Sequence, residues 1–145
     1  MVATTIEATI TDLLKGSAGL SGLIGSGDNA RVYPVQVPQG QKSPCIVFRL
    51  MDSERPRAFG RDTGICRSRY EFTCWSTTKS IGTAQEAQDV AEGLRQAMQR
   101  YRDVAGTYGV EVQDCFLYSQ SEYFDQEVEA FAVVVDYEII WREGN

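Results

Sequence analysis

Asp136 and Glu138 sit two residues apart in a segment that reads as a strand, so both carboxylates share one face, about 6–7 Å apart. That spacing is within range for a glycosidase or a two-metal site; a solvated strand edge is the plainer reading. The sequence has no histidine, which excludes every Ser-His or Cys-His arrangement and any histidine-ligated metal. A serine or cysteine nucleophile would then need a lysine as its base. Nothing in the residue order brings Lys15, Lys42 or Lys79 to a serine. Gly25-Ser26-Gly27 lacks the strand-then-helix setting of a dinucleotide fingerprint, and no Gly-Lys-Ser/Thr phosphate loop occurs. The expectation is a protein that is not an enzyme and holds no cofactor or metal.

The four cysteines, Cys45, Cys66, Cys74 and Cys115, show no Cys-x-x-Cys spacing. Cys66 and Cys74 fall on one expected strand about 26 Å apart, too far to bridge within a chain. They read as reduced, small core residues of a protein made in the cytosol.

Charge is uneven. The net value is −6, the wrong sign for gripping nucleic acid through its phosphates. Arg55 to Arg69 holds five arginines and one acid, Asp62, whereas Glu111 to Asn145 holds nine acids and only Arg142. Such asymmetry suits self-association, the basic end of one copy meeting the acidic end of the next; two solvated faces are the bland alternative. Arg55, Arg57, Phe59 and Arg61 stand out, because arginine is favoured where planar contacts to carboxylates form.

These residues need a scaffold, and 145 residues suffice for one domain with its own core. The longest apolar run, Ala130 to Val135, is far short of a membrane span. No basic stretch precedes the first apolar residues, so no secretory signal is expected. Thr4-x-x-Glu7 reads as a capping box opening a helix to about Lys15, with Gly16 as a left-handed stop. Leu20, Leu23 and Ile24 suggest a further short turn. Arg31 to Val37 reads as a short extended piece ended by Pro38-Gln39-Gly40, and Cys45 to Met51 as a strand. A polar, arginine-rich loop follows from about Asp52 to Gly64.

Ile65 to Ser76 reads as a long two-faced strand, with Cys66, Ser68, Tyr70, Phe72 and Cys74 on one side. Thr83-x-x-Glu86 opens a second helix to about Tyr101, with Ala87, Val90, Ala91, Leu94 and Met98 in one stripe. After a turn at Gly106 to Gly109, Val110–Gln120 and Glu127–Arg142 form an antiparallel pair across a polar loop, Ser121 to Gln126. The expected class is α+β: one domain, an antiparallel sheet of four to five strands, two helices on one face.

The order and spacing of several strings are similar to a known family. Arg31-Val32-Tyr33-Pro34, Pro38-Gln39-Gly40 and Pro44-Cys45-Ile46-Val47-Phe48 resemble the front half of the tail-completion proteins of long-tailed (siphovirus) bacteriophages. These are the tail terminator and tail-to-head joining proteins. Tyr70-Glu71-Phe72-Thr73-Cys74-Trp75-Ser76 resembles the family's aromatic-ended strand, and Val135-Asp136-Tyr137-Glu138-Ile139-Ile140-Trp141 its last strand. The resemblance spans nearly the whole chain.

It implies a virion protein, made in the bacterial host cytoplasm, that forms a hexameric ring on the head-proximal end of the tail tube. The ring stops tube polymerisation and meets the head connector at the neck, with DNA passing through without sequence-specific binding. Its partners would be identical copies, the tail tube protein and the head-tail connector protein, with no membrane. On this reading Arg55, Arg57, Phe59, Arg61, Arg67 and Arg69 face a neighbouring subunit or the tube. Glu122, Asp125, Glu127, Glu129, Asp136 and Glu138 form the complementary or lumen surface. The alternatives are a stopper or adaptor ring of the neck, and a small dimeric α+β module that binds a ligand.

Overall fold

Ile6, Ile10 and Leu14 recur at the spacing that puts them on one helical face, and all three are buried in α1 (Ile6–Lys15). The computed structural model describes residues 6–25, 27–35, 44–55, 57–58, 61–62, 64–77, 83–102, 110–127 and 129–143. After α1 come α2 (Ala18–Ile24), a 3-10 turn (Gly27–Asn29), β1 (Val32–Pro34), β2 (Cys45–Glu54), β3 (Arg57–Ala58) and β4 (Arg61–Asp62). Then follow β5 (Ile65–Ser76), α3 (Thr83–Met98), β6 (Val110–Asp125) and β7 (Ala130–Glu143). Thr4 of the expected capping box, Pro38-Gln39-Gly40, Phe59 and the Gly106–Gly109 turn lie outside the described residues.

The five-stranded sheet has the order β1-β2-β5-β7-β6. Three neighbouring pairs are antiparallel and one edge pair, β1–β2, is parallel. The α+β class and the placement of the helices on one face are as expected, although a third helix joins them. β5 and β7 run side by side over twelve residue pairs, Ile65↔Arg142 to Ser76↔Phe131. Tyr70, Phe72 and Cys74 of β5 and Val133, Val135, Tyr137 and Ile139 of β7 thus share the face that packs on Val90, Leu94, Met98, Ile10 and Leu14. Phe48, Phe72 and Tyr137 form a line of rings across three strands, with centroids 5.7 and 6.2 Å apart. Beneath them Trp141 Nε1 donates to Ser68 Oγ at 2.9 Å, a buried polar pair inside an apolar layer.

Several boundaries differ from the sequence reading. Gly16 is not left-handed; the positive-φ glycines among the described residues are Gly25, Gly27 and Gly64. The chain instead leaves α1 through an extended Ser17 (φ −75, ψ 122) and enters α2 directly. α1 does end at Lys15, as expected, whereas Gly25 ends α2: its φ is 91, and a Cβ there would lie 2.8 Å from Asn29 O. Helix α3 ends at Met98 rather than Tyr101, because Arg100 turns left-handed (φ 59) and gives its N–H to Cys115 O at 2.7 Å. Asp52 to Glu54 belong to β2, not to a loop, and Arg57–Ala58 pairs with Arg61–Asp62 as a hairpin. Ser121 to Asp125 likewise belong to β6.

Candidate functional site

β5 presents Arg67, Arg69 and Glu71 on the face turned away from the helices. The strands on either side place opposite charges next to them. Arg67 Nη2 lies 2.7 Å and Nε 2.9 Å from the same oxygen of Glu138 on β7. Glu54 and Asp52 of β2 stand opposite Arg67 and Arg69 in the register. Arg49 Nε reaches Glu71 Oε1 at 3.2 Å, and the Arg69 guanidinium lies 4.8 Å from the ring centre of Tyr118 on β6. Asp136 Oδ2 accepts from Ser119 Oγ at 3.2 Å. Asp136 and Glu138 therefore sit in a cross-strand network of paired charges and hydroxyls.

The other charged residues diverge. Arg55 is exposed at the end of β2, and the backbone of Arg57 and Arg61 forms the hairpin beyond it. This end of the sheet also holds the start of β6 and the finish of β7, by the pairs Ile65↔Arg142 and Glu111↔Arg142. Glu122, Asp125, Glu127 and Glu129 gather around the β6–β7 turn at the other end, beside Ser76 and the start of α3. Glu122 accepts there from Gln88 Nε2 of α3 at 3.1 Å. β5 spans these ends with twelve residues, about 36 Å at strand spacing. The basic hairpin flanks the β2 edge and the acidic turn the β6 edge, at diagonally opposite corners of one sheet.

Apolar residues that the sequence reading did not single out lie along the same edges. Leu50 (48% exposed) and Met51 are on β2; Leu117, Tyr118 (58%), Tyr123 and Phe124 (53%) are on β6. One-residue bulges at Met51 and Tyr118 break the alternation that would have marked them. Tyr123 packs edge-on against Trp75 at 5.7 Å, the two rings meeting above the small Ala132 that separates their strands.

Arg31 is a further residue whose role was hidden. Its Nε donates to Pro44 O and its Nη2 to Leu23 O, each at 2.8 Å, while its backbone N–H reaches Ile24 O at 2.8 Å. It ties α2 to the start of β2. No signal in the sequence distinguished this arginine from a surface one.

All four cysteines are buried and unbridged. Burial pushes the Cys45 thiol up to about 11 and the Cys115 thiol up to about 12, and raises Cys74 as well. Such thiols are poor nucleophiles. No cluster of three potential metal ligands occurs among the described residues.

The described residues thus form a scaffold with two charged corners. The family model for Tail completion protein gp17 matches residues 8–142. The chain belongs to that family and is a structural protein of the bacteriophage tail. A chain of the virion of a native gene transfer agent particle has the same fold, at TM-score 0.68, with 15% identity and 97% of each chain covered. No curated protein matches.

Proposed function

We propose that the protein closes into a hexameric ring on the head-proximal end of the tail tube. There it stops tube polymerisation and offers a docking surface to the head connector, while DNA passes through the centre. The observation that carries this reading is the placement of basic and acidic groups at opposite corners of one sheet. A contact between unlike patches is head-to-tail, and a head-to-tail contact closes into a ring when its rotation permits. Arg55, Arg57, Phe59 and Arg61 are the proposed contact to a neighbour or the tube, and Glu122, Asp125, Glu127 and Glu129 the complementary surface. Six copies at −6 each make an acidic annulus, and like charge lets DNA slide rather than stick.

The test is electron microscopy of tail tube protein polymerised with and without the chain. Tubes capped at one end by a ring, and halted in length, support the reading. Tubes that lengthen equally in its presence and carry no cap contradict it.

A further inference from the structure

β6 is the last strand on its side of the sheet, and every residue from Leu117 to Phe124 is exposed. An open edge of this length is a template for another strand, and edges meant to stay unpaired are commonly guarded by lysine or proline. Leu117–Phe124 contains neither; it has a bulge at Tyr118 and one charged residue, Glu122. Leu117, Tyr118, Tyr123 and Phe124 instead expose large apolar surfaces along it.

The register sorts this edge onto two sides. Leu117, Gln120, Glu122 and Phe124 stand opposite Tyr137, Val135, Val133 and Phe131 of β7, so they lie on the face that carries the helices. Ser119, Ser121 and Tyr123 stand opposite Asp136, Val134 and Ala132 and lie on the other face, where Tyr118 meets Arg69. Helix α3 packs mainly over β5 and β7, which leaves a groove of about 480 Å³ between its flank and β6. Glu92, Arg95, Gln96, Gln99 and Leu117 line it. A strand laid on β6 would send alternate side chains into this groove and onto the ring of Tyr123.

We propose that the β6 edge takes up an extended, basic segment of another virion protein as a further strand of the sheet, with apolar side chains at alternate positions seated in the groove. Charge selects the occupant. Residues 115–129 contain four acids, Glu122, Asp125, Glu127 and Glu129, and no base. At the groove, Glu92 and Arg95 are already paired with each other at 2.7 Å. An incoming cation therefore meets unlike charge, and an incoming acid meets like charge.

The described strands of this chain do not supply such a segment. A second β6 would oppose acid to acid. The exposed end of β2, Arg49–Glu54, brings Asp52 and Glu54 against one arginine. The arginine hairpin offers strands of two residues each, Arg57–Ala58 and Arg61–Asp62, too short to cover Leu117–Phe124. The occupant is thus a different protein, and a structural protein of the phage tail meets it within the particle. This strand would add to each copy whether or not a ring closes, so the proposal stands apart from the ring reading.

The test is a panel of short peptides tiled across the other structural proteins of the particle, with binding to the purified chain read by fluorescence anisotropy. Binders should be basic, should alternate apolar with polar residues, and should slow amide hydrogen exchange at residues 119–124. Gln120→Lys with Ser121→Lys should weaken their binding roughly tenfold, whereas Gln120→Glu with Ser121→Glu should not weaken it. Both positions are exposed, and circular dichroism checks that each variant folds.

A panel without a binder, binders that are acidic, or amides at 119–124 that exchange equally fast with and without peptide would each overturn the proposal. So would lysine and glutamate variants that bind alike. None of these results bears on whether the chain caps tail tubes, so this proposal and the function proposed above fail separately.

Discussion

Arg67 and Glu138, 71 positions apart in sequence, form an ion pair across the β5–β7 ladder, with both guanidinium nitrogens on one carboxylate oxygen at 2.7 and 2.9 Å. The basic segment and the acidic segment that the sequence sets apart thus meet inside a single subunit. Part of the charge asymmetry is used within the sheet, where arginines of β5 lie between acids of β2 and β7. Arg55, Arg57 and Arg61 stand at one corner of the sheet and the turn near Glu127 at the other.

If the Arg67–Glu138 pair serves only its own subunit, removing it should affect stability slightly and assembly not at all. Arg67 is half-exposed, so Arg67→Ala should cost about 0.5 kcal/mol. Thermal melts and native mass measured on the same variant check both halves of this expectation.

Trp141 and Ser68 make the opposite case. Ser68→Ala leaves the buried Trp141 Nε1 without its acceptor and Ser53 Oγ without its 3.0 Å partner. The expected loss is about 1–3 kcal/mol, read as a lower midpoint in urea with an unchanged slope.

Two glycines separate packing from propensity. A Cβ on Gly93 would lie 2.8 Å from Leu20 Cδ2 and 3.2 Å from Gly19 O, where α3 packs on α2. Gly93→Ala should destabilise by about 1–3 kcal/mol. Gly22 has nothing within 4 Å of such a Cβ, so Gly22→Ala should stabilise by about 0.4–1 kcal/mol. Melting curves of the two variants should move in opposite directions.

The thiols give a pH test. Burial raises Cys45 from 9.0 to about 11 and Cys115 from 9.0 to about 12. The folded state therefore keeps the proton that the unfolded chain gives up. Stability from these groups is complete below pH 9 and falls as pH rises through 11 to 12, since the unfolded state then binds fewer protons. Tyr70 and Tyr137 are raised as well, chiefly by burial, and add to the alkaline loss. Urea titrations from pH 7 to 11 should show it. At pH 8 a disulfide reagent should react slowly with native protein and with all four cysteines once it unfolds.

Local rules made α1, α3 and the two faces of β5 and β7 readable. Their apolar residues recur at strict helical or strand periods, and Ala87, Val90 and Leu94 fall where that period puts them. Val110 to Gln120 was readable as a strand, but the far end of β6, Ser121 to Asp125, escaped because the bulge at Tyr118 shifts its period and because residues at an exposed edge need not be apolar. The parallel β1–β2 pair escaped for another reason: strand direction depends on which distant segments meet, and Val32↔Ile46 leaves no local trace. The site was half legible. Composition marked the arginine hairpin and the acidic turn, but only the register revealed that Arg67, Arg69, Asp136 and Glu138 are engaged within their own sheet.

In the proposed ring, unlike corners of identical subunits meet and close a circle. The most direct measurement is the mass of complexes released from tail tubes in solutions of low ionic strength. Particles of six chains that come apart as salt rises are the expected result. Two-fold pairs, or single chains bound separately to the tubes, would contradict it.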